Sequence, residues 1–173
     1  MEQTIIDKIY SDNKQLIEYL IEERQVSFIS DAENNFKKNL LLSIASFFEN
    51  IIINILIKFV ENKSQSDTKL ISFIKSKALK RQYHQLFDWD SNTANRFFSW
   101  FGEDFKNQMR LLVNDDEKLN TSIKSFLEIG KERNRLVHQN FGEIYIEKTA
   151  DEIYELYKKS LYFIDMLEKK LNE

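Results

Sequence analysis

Apolar side chains recur at helical spacing along almost the whole chain. At intervals of three and four residues, Ile5, Ile6, Ile9, Leu16, Tyr19 and Leu20 predict a first helix over residues 3–25. A second, long helix is expected from Ser30 and Glu33, which have capping-box spacing, to about Asn62. "SQSD" at 64–67 then caps a third, running on through residue 87. "DWDSN" at 88–92 breaks the pattern, and residues 93–113 give a fourth helix, open to interruption at Gly102. "NDDE" at 114–117 puts acids where a helix dipole favours them and starts a fifth helix, which ends at Val137 or His138. Residues 139–148 read as a connector with room for a short extended stretch. Thr149 and Glu152 form a further capping box, opening a last helix to about Leu171. The expected fold is all-α: one domain over residues 1–173, a bundle of five to six helices around a long central one.

Composition sharpens this picture. The chain has no proline and only three glycines, so little interrupts helices. It has no cysteine, which excludes disulfides and thiolate metal sites and suits a reducing, cytoplasmic setting. The formal net charge is -3, which argues against a basic nucleic-acid coat but leaves a local basic patch open. The N-terminus lacks the basic segment and apolar run of a signal peptide. Between Leu40 and Val60, the most apolar stretch, lie Ser43, Ser46, Glu49, Asn50, Asn54 and Lys58. Those polar groups favour a buried helix over a bilayer span, and no membrane partner is expected.

Charges on apolar faces are the informative exceptions, because an unpaired buried charge is expensive. On a helical wheel Arg133 falls in the middle of an arc made by Phe126, Ile129, Gly130, Leu136 and Val137, with Asn134 and His138 on the neighbouring edge. On the second helix Glu49 falls among Leu42, Ile53, Leu56 and Val60. Two readings stand for Arg133: an ion pair with Glu49, or a side chain that snorkels to solvent. Two stand for His138 also: a cap for the helix C-terminus, or a proton-transfer group. No second histidine lies one turn away, so a metal site is not expected. Lys75, Lys77, Lys80 and Arg81, with His84, could meet phosphates or form a solvated face. Phe97, Phe98, Trp100, Phe101 and Phe105 could stack bases, but fit a core better. Tyr154, Tyr157, Leu161, Ile164 and Leu171 read as core or a dimer seam.

Residues 133–138, "RNRLVH", resemble the R-N-x-x-x-H signature of the HEPN superfamily. "LLLSIASFFENIIINIL" (40–56) is similar to that family's central helix with its embedded acid, here Glu49. "RFFSWFGEDF" (96–105) is similar to the aromatic-glycine segment of the RiboL-PSP-type branch. The resemblance covers roughly residues 30 to 170. It implies an endoribonuclease needing no metal or cofactor, either a toxin of a toxin–antitoxin pair or an anti-phage defence effector. His138 would move a proton, Arg133 clamp the scissile phosphate, Asn134 hold these groups and Glu49 support the arginine. Lys131, Arg135, Lys77, Lys80 and Arg81 would face RNA. The products would be a 2′,3′-cyclic phosphate and a 5′-hydroxyl.

Five helical residues separate Arg133 and His138 by ~140° around the axis. A composite site is therefore expected in a homodimer, or in a pair with a second HEPN-type chain, with an antitoxin or defence-system protein as a further partner. In one branch a tyrosine two residues after the histidine is modified; Asn140 stands there instead, which argues against that regulation. Two alternatives remain open: a non-catalytic interaction or antitoxin module, and a nucleotide-sensing domain in which Arg133 and Lys131 bind phosphate.

Overall fold

The computed structural model describes residues 3–139 and 141–173. Among them the secondary structure is helical throughout, with no strand, as the pattern predicts. Helix α1 spans Ile5–Glu22, and Thr4 and Asp7 form a full capping box at its start. Helix α2 spans Val26–Lys63 and is the long central element. Its beginning differs from expectation. Ser30 and Glu33 lie inside the helix, because the chain reverses over 23–25, with Arg24 at φ 54, and helix resumes at once. Val26, Phe28 and Ile29 carry no helix breaker, so extending the helix backwards costs less than starting it at a new cap.

Residues Phe36, Leu40, Leu41, Ile44, Phe48, Ile52 and Ile55 of α2 are buried, and the helix packs against α1 and the last two helices. By length and composition alone α2 could cross a bilayer. In the fold its apolar side is the centre of the bundle.

The third predicted helix is divided. Helix α3 (Thr68–Ile74), capped by Asp67, passes into a π-helical turn at Lys75–Leu79. Arg81 then adopts φ 61, and a single turn, α4 (Tyr83–Leu86), follows. The fourth is divided at Gly102, as the sequence allows, into α5 (Asn95–Ser99) and α6 (Glu103–Asp115). These two breaks bring the described α-helices to eight where five to six were expected.

Helix α7 (Glu117–His138) starts on Asp116, whose carboxylate accepts from the Leu119 N–H at 3.0 Å. Helix α8 (Ala150–Asn172) starts on the Thr149–Glu152 capping box. Between them the connector contains no strand among its described residues. Aromatic side chains fill the middle of the bundle: Phe87 stacks on Phe97 at 4.6 Å and meets Phe126, which meets Phe48 and Phe163. Phe97 and Phe98 are buried there, while Trp100 is exposed. Of the α8 stripe, Tyr157, Ile164 and Leu171 are core, while Tyr154 and Leu161 are half-buried.

Candidate active site

Helix α7 carries the unusual arginine, and its local packing explains where that arginine goes. Gly130 lies one turn before it, and a Cβ there would overlap the six-membered ring of Trp89. Glycine costs a helix interior about 1 kcal/mol relative to alanine, so the close approach is the reason for it. Trp89 is pinned from its other side as well, since its Nε1–H donates to the His84 carbonyl at 2.9 Å. The indole also meets Tyr83, Phe87 and Phe126. The segment after the π-turn is thereby clamped onto α7.

That clamp closes a small pocket of about 20 Å³. Ala45 and Phe48 of α2, Tyr83, His84 and Trp89, and Phe126, Ile129, Gly130, Arg133 and Asn134 of α7 line it. This is room for roughly one water molecule, far too little for a nucleobase. Arg133 is half-buried and its Nη1 donates to the Asn134 Oδ1 at 3.1 Å. Among the described residues no carboxylate lies within ion-pair distance of Arg133. Of the two readings for Arg133, the Glu49–Arg133 ion pair is therefore not formed among the described residues. Instead both groups act on the Tyr83 phenol: burial pushes its pKa up, Glu49 adds to the rise, and Arg133 opposes it. The phenol consequently keeps its proton at any working pH.

His138 is the last residue of α7, exposed, and does not line this pocket. The geometry thus brings together Arg133 and Asn134 but leaves His138 on another side of the helix end. Glu49 is half-buried near Tyr83. Among the expected RNA-facing cations, Lys131 pairs with Asp90 at 3.3 Å. Arg135 is held by Glu132 at 2.7 Å and by the Tyr145 carbonyl at 3.3 Å. Lys77, Lys80 and Arg81 are exposed and make no ion pair among the described residues. Asn140 lies outside those residues. No three His, Cys, Asp or Glu side chains gather into a metal-sized group among them.

Three residues near the motif escaped the sequence reading. Tyr83 and Trp89 reach the pocket only because the chain breaks at 80–82, and no glycine or proline announces that break. Lys38 did leave a signal. It shares a helical stripe with Leu41, Ala45, Phe48 and Ile52, and it is only 2% exposed. Its ammonium donates to the Phe141 carbonyl at 2.6 Å and lies over the Phe141 ring, so it ties α2 to the chain just past His138.

The family model of the RiboL-PSP-HEPN family matches residues 7–173. The chain belongs to the RiboL-PSP-HEPN family. Neither a curated protein nor a solved structure matches it. For this HEPN chain the family match and the all-helical bundle agree on the fold class, with α2 as the long central helix and the arginine-bearing helix packed between α2 and α8.

Proposed function

We propose that this HEPN chain is a metal-independent endoribonuclease whose working site is composite, formed where two chains meet. The observation that carries the reading is Arg133: a half-buried guanidinium, steadied by Asn134, with no carboxylate partner among the described residues. A cation left without its counter-ion in a partly desolvated position is a prepared anion site, and a planar guanidinium matches a phosphodiester. In the proposed reaction the ribose 2′-oxygen attacks phosphorus while its proton passes to a base. Charge then builds on the phosphoryl oxygens, which Arg133 offsets. The P–O5′ bond breaks, the 5′-oxygen gains a proton, and a 2′,3′-cyclic phosphate remains.

His138 serves as one proton-transfer group, since histidine is the side chain suited to moving protons near neutral pH. Its position away from the Arg133 pocket favours use of His138 by a neighbouring chain, as a homodimer or a pair with a second HEPN-type chain would allow. Asn134 holds the arginine, and the exposed cations Lys77, Lys80 and Arg81 guide RNA. Restraint by an antitoxin or another defence-system protein, and a cytoplasmic location, accompany this reading.

Purified chain should cut single-stranded RNA in EDTA, leaving cyclic-phosphate ends. Arg133→Ala and His138→Ala should each slow it at least about 100-fold while remaining folded. Both variants cutting like the parent would sink the assignment.

A further inference from the structure

The chain has two histidines. The one outside the signature, His84, lines the Arg133 pocket. Several independent features serve to put it there. The helix that should carry it is broken by a π-turn, and such turns recur at functional sites because they trade regular hydrogen bonding for a local change of direction. Arg81 follows in the left-handed region, at a cost of order 1 kcal/mol for a non-glycine residue. The next turn is fixed by the Trp89 N–H on the His84 carbonyl, and Trp89 is seated where Gly130 leaves space in α7. His84 itself stays exposed, and its imidazole makes no hydrogen bond or ion pair among the described residues. A backbone held this firmly under an uncommitted imidazole fits a group kept for a ligand. Lys77, Lys80 and Arg81, exposed on the same segment, suit an approaching polyanion.

The ribonuclease reaction has two proton transfers, and one imidazole cannot be base and acid in the same step. We propose that His84 is a second catalytic histidine, acting in the same chain as Arg133 and opposite a His138 contributed by the neighbouring chain. One imidazole takes the 2′-hydroxyl proton as the new P–O bond forms. The other, entering as imidazolium, gives its proton to the departing 5′-oxygen. Product release and proton exchange with water restore both. Arg133 from α7 and Tyr83 on its own segment share the pocket with His84, Glu49 from α2 acts on Tyr83 there, and Arg81 lies three residues before it in the chain.

This inference rests on the ribonuclease reading, and one set of measurements separates the two. His84→Gln and His84→Ala are exposed-site changes, with folding checked by circular dichroism. Rates are measured from pH 5 to 9 on an RNA oligonucleotide, and binding on its 2′-deoxy analogue, which cannot be cut. The expected result is a loss of about 100-fold or more in kcat for both variants. The bell-shaped parental pH profile should also lose one limb, with deoxy-oligonucleotide binding within twofold of the parent. A merely structural role would not remove one limb and spare binding. A His84→Gln chain that cuts at the parental rate with both limbs intact overturns the role of His84 and leaves the ribonuclease reading standing. A parent that binds the deoxy-oligonucleotide and cuts no RNA overturns both.

Discussion

At Gly130 two opposing effects of adding one methyl group can be weighed. Alanine would gain about 1 kcal/mol of helix propensity. The same methyl would occupy the place of the Trp89 ring, and the indole is confined by Tyr83, Phe87 and Phe126. Overpacking of that kind costs about 1–3 kcal/mol, so the clash wins. Gly130→Ala should lower the unfolding free energy in urea and shift Trp89 emission to the red, read in a Trp100→Phe background because Trp100 is the other tryptophan. Unchanged stability and emission would mean the indole is not held on α7.

Lys38 gives the opposite balance. Its charge is buried with no carboxylate partner among the described residues, and an unpaired buried charge is costly, so a hydrophobic group of similar length can replace it with little loss. Lys38→Met should therefore not lower the global midpoint. It should speed amide exchange across 141–146, where the Phe141 carbonyl loses its donor. A slower or unchanged exchange there would remove Lys38 as the tether of the segment after His138. Both charged exceptions on α2 sit on apolar stripes, yet only Glu49 was picked out by the pattern. Glu49 turned out to share its surroundings with Tyr83, not to pair with Arg133. A wheel shows that a side chain points inward; it does not show which other element arrives to meet it.

Among whole elements, α1 packs along α2 with Ile6 in the core, and polar contacts tie it to α8 as well. Tyr10 stacks on Tyr154 at 3.9 Å, and the Tyr154 hydroxyl donates to Asp7 at 2.6 Å. Thr4 shares a 2.8 Å hydrogen bond with the Tyr157 hydroxyl. Desolvation raises the Asp7 pKa, but hydrogen bonds from Tyr154, Thr4 and Lys158 outweigh it and bring it down to about 2 from 3.8. A carboxyl whose pKa is depressed on folding stabilises the fold above its unfolded pKa and ceases to do so as protonation becomes complete. The contribution of Asp7 should accordingly be full above pH 5 and fade between about pH 4 and 2. Asp7→Asn should cost up to about 2 kcal/mol at pH 7, with the gap to the parent narrowing across that window. A gap that stays constant down to pH 2 would show that the carboxylate charge plays no part in docking α1.

The same scale explains which helices were legible. Thr4, Asp67, Asp116 and Thr149 are side-chain caps with sequence signatures, and the helices they start were expected within a few residues. The break at 80–82 has no such signature. Tertiary contacts enforce it, chiefly the Leu86 and Phe87 side chains entering the core and Trp89 resting on α7. His84 therefore looked like one more residue of a basic helical face.

For the whole molecule, the question is whether one chain suffices. Arg133 and His138 lie on one helix, yet only Arg133 lines the pocket beside Tyr83 and His84. Two side chains ~140° apart on one helix start out toward different sides, and the proposed composite site answers this by taking the motif histidine from a second chain. A two-fold arrangement in which Arg133 of one chain works with His138 of the other makes a quantitative demand. Arg133→Ala and His138→Ala chains, each inactive alone, should recover activity when mixed after mild denaturation and refolding. In random pairing half the dimers are mixed, and each mixed dimer holds one intact centre out of two. Recovery should therefore approach about one quarter of the parental rate at equal total protein. If arginine and histidine worked within the same chain, every centre in the mixture would lack one of them and no activity would return. Sedimentation of the parent should show a dimer at the concentrations where cleavage is seen, and dilution into the monomer range should abolish cutting in step with dissociation.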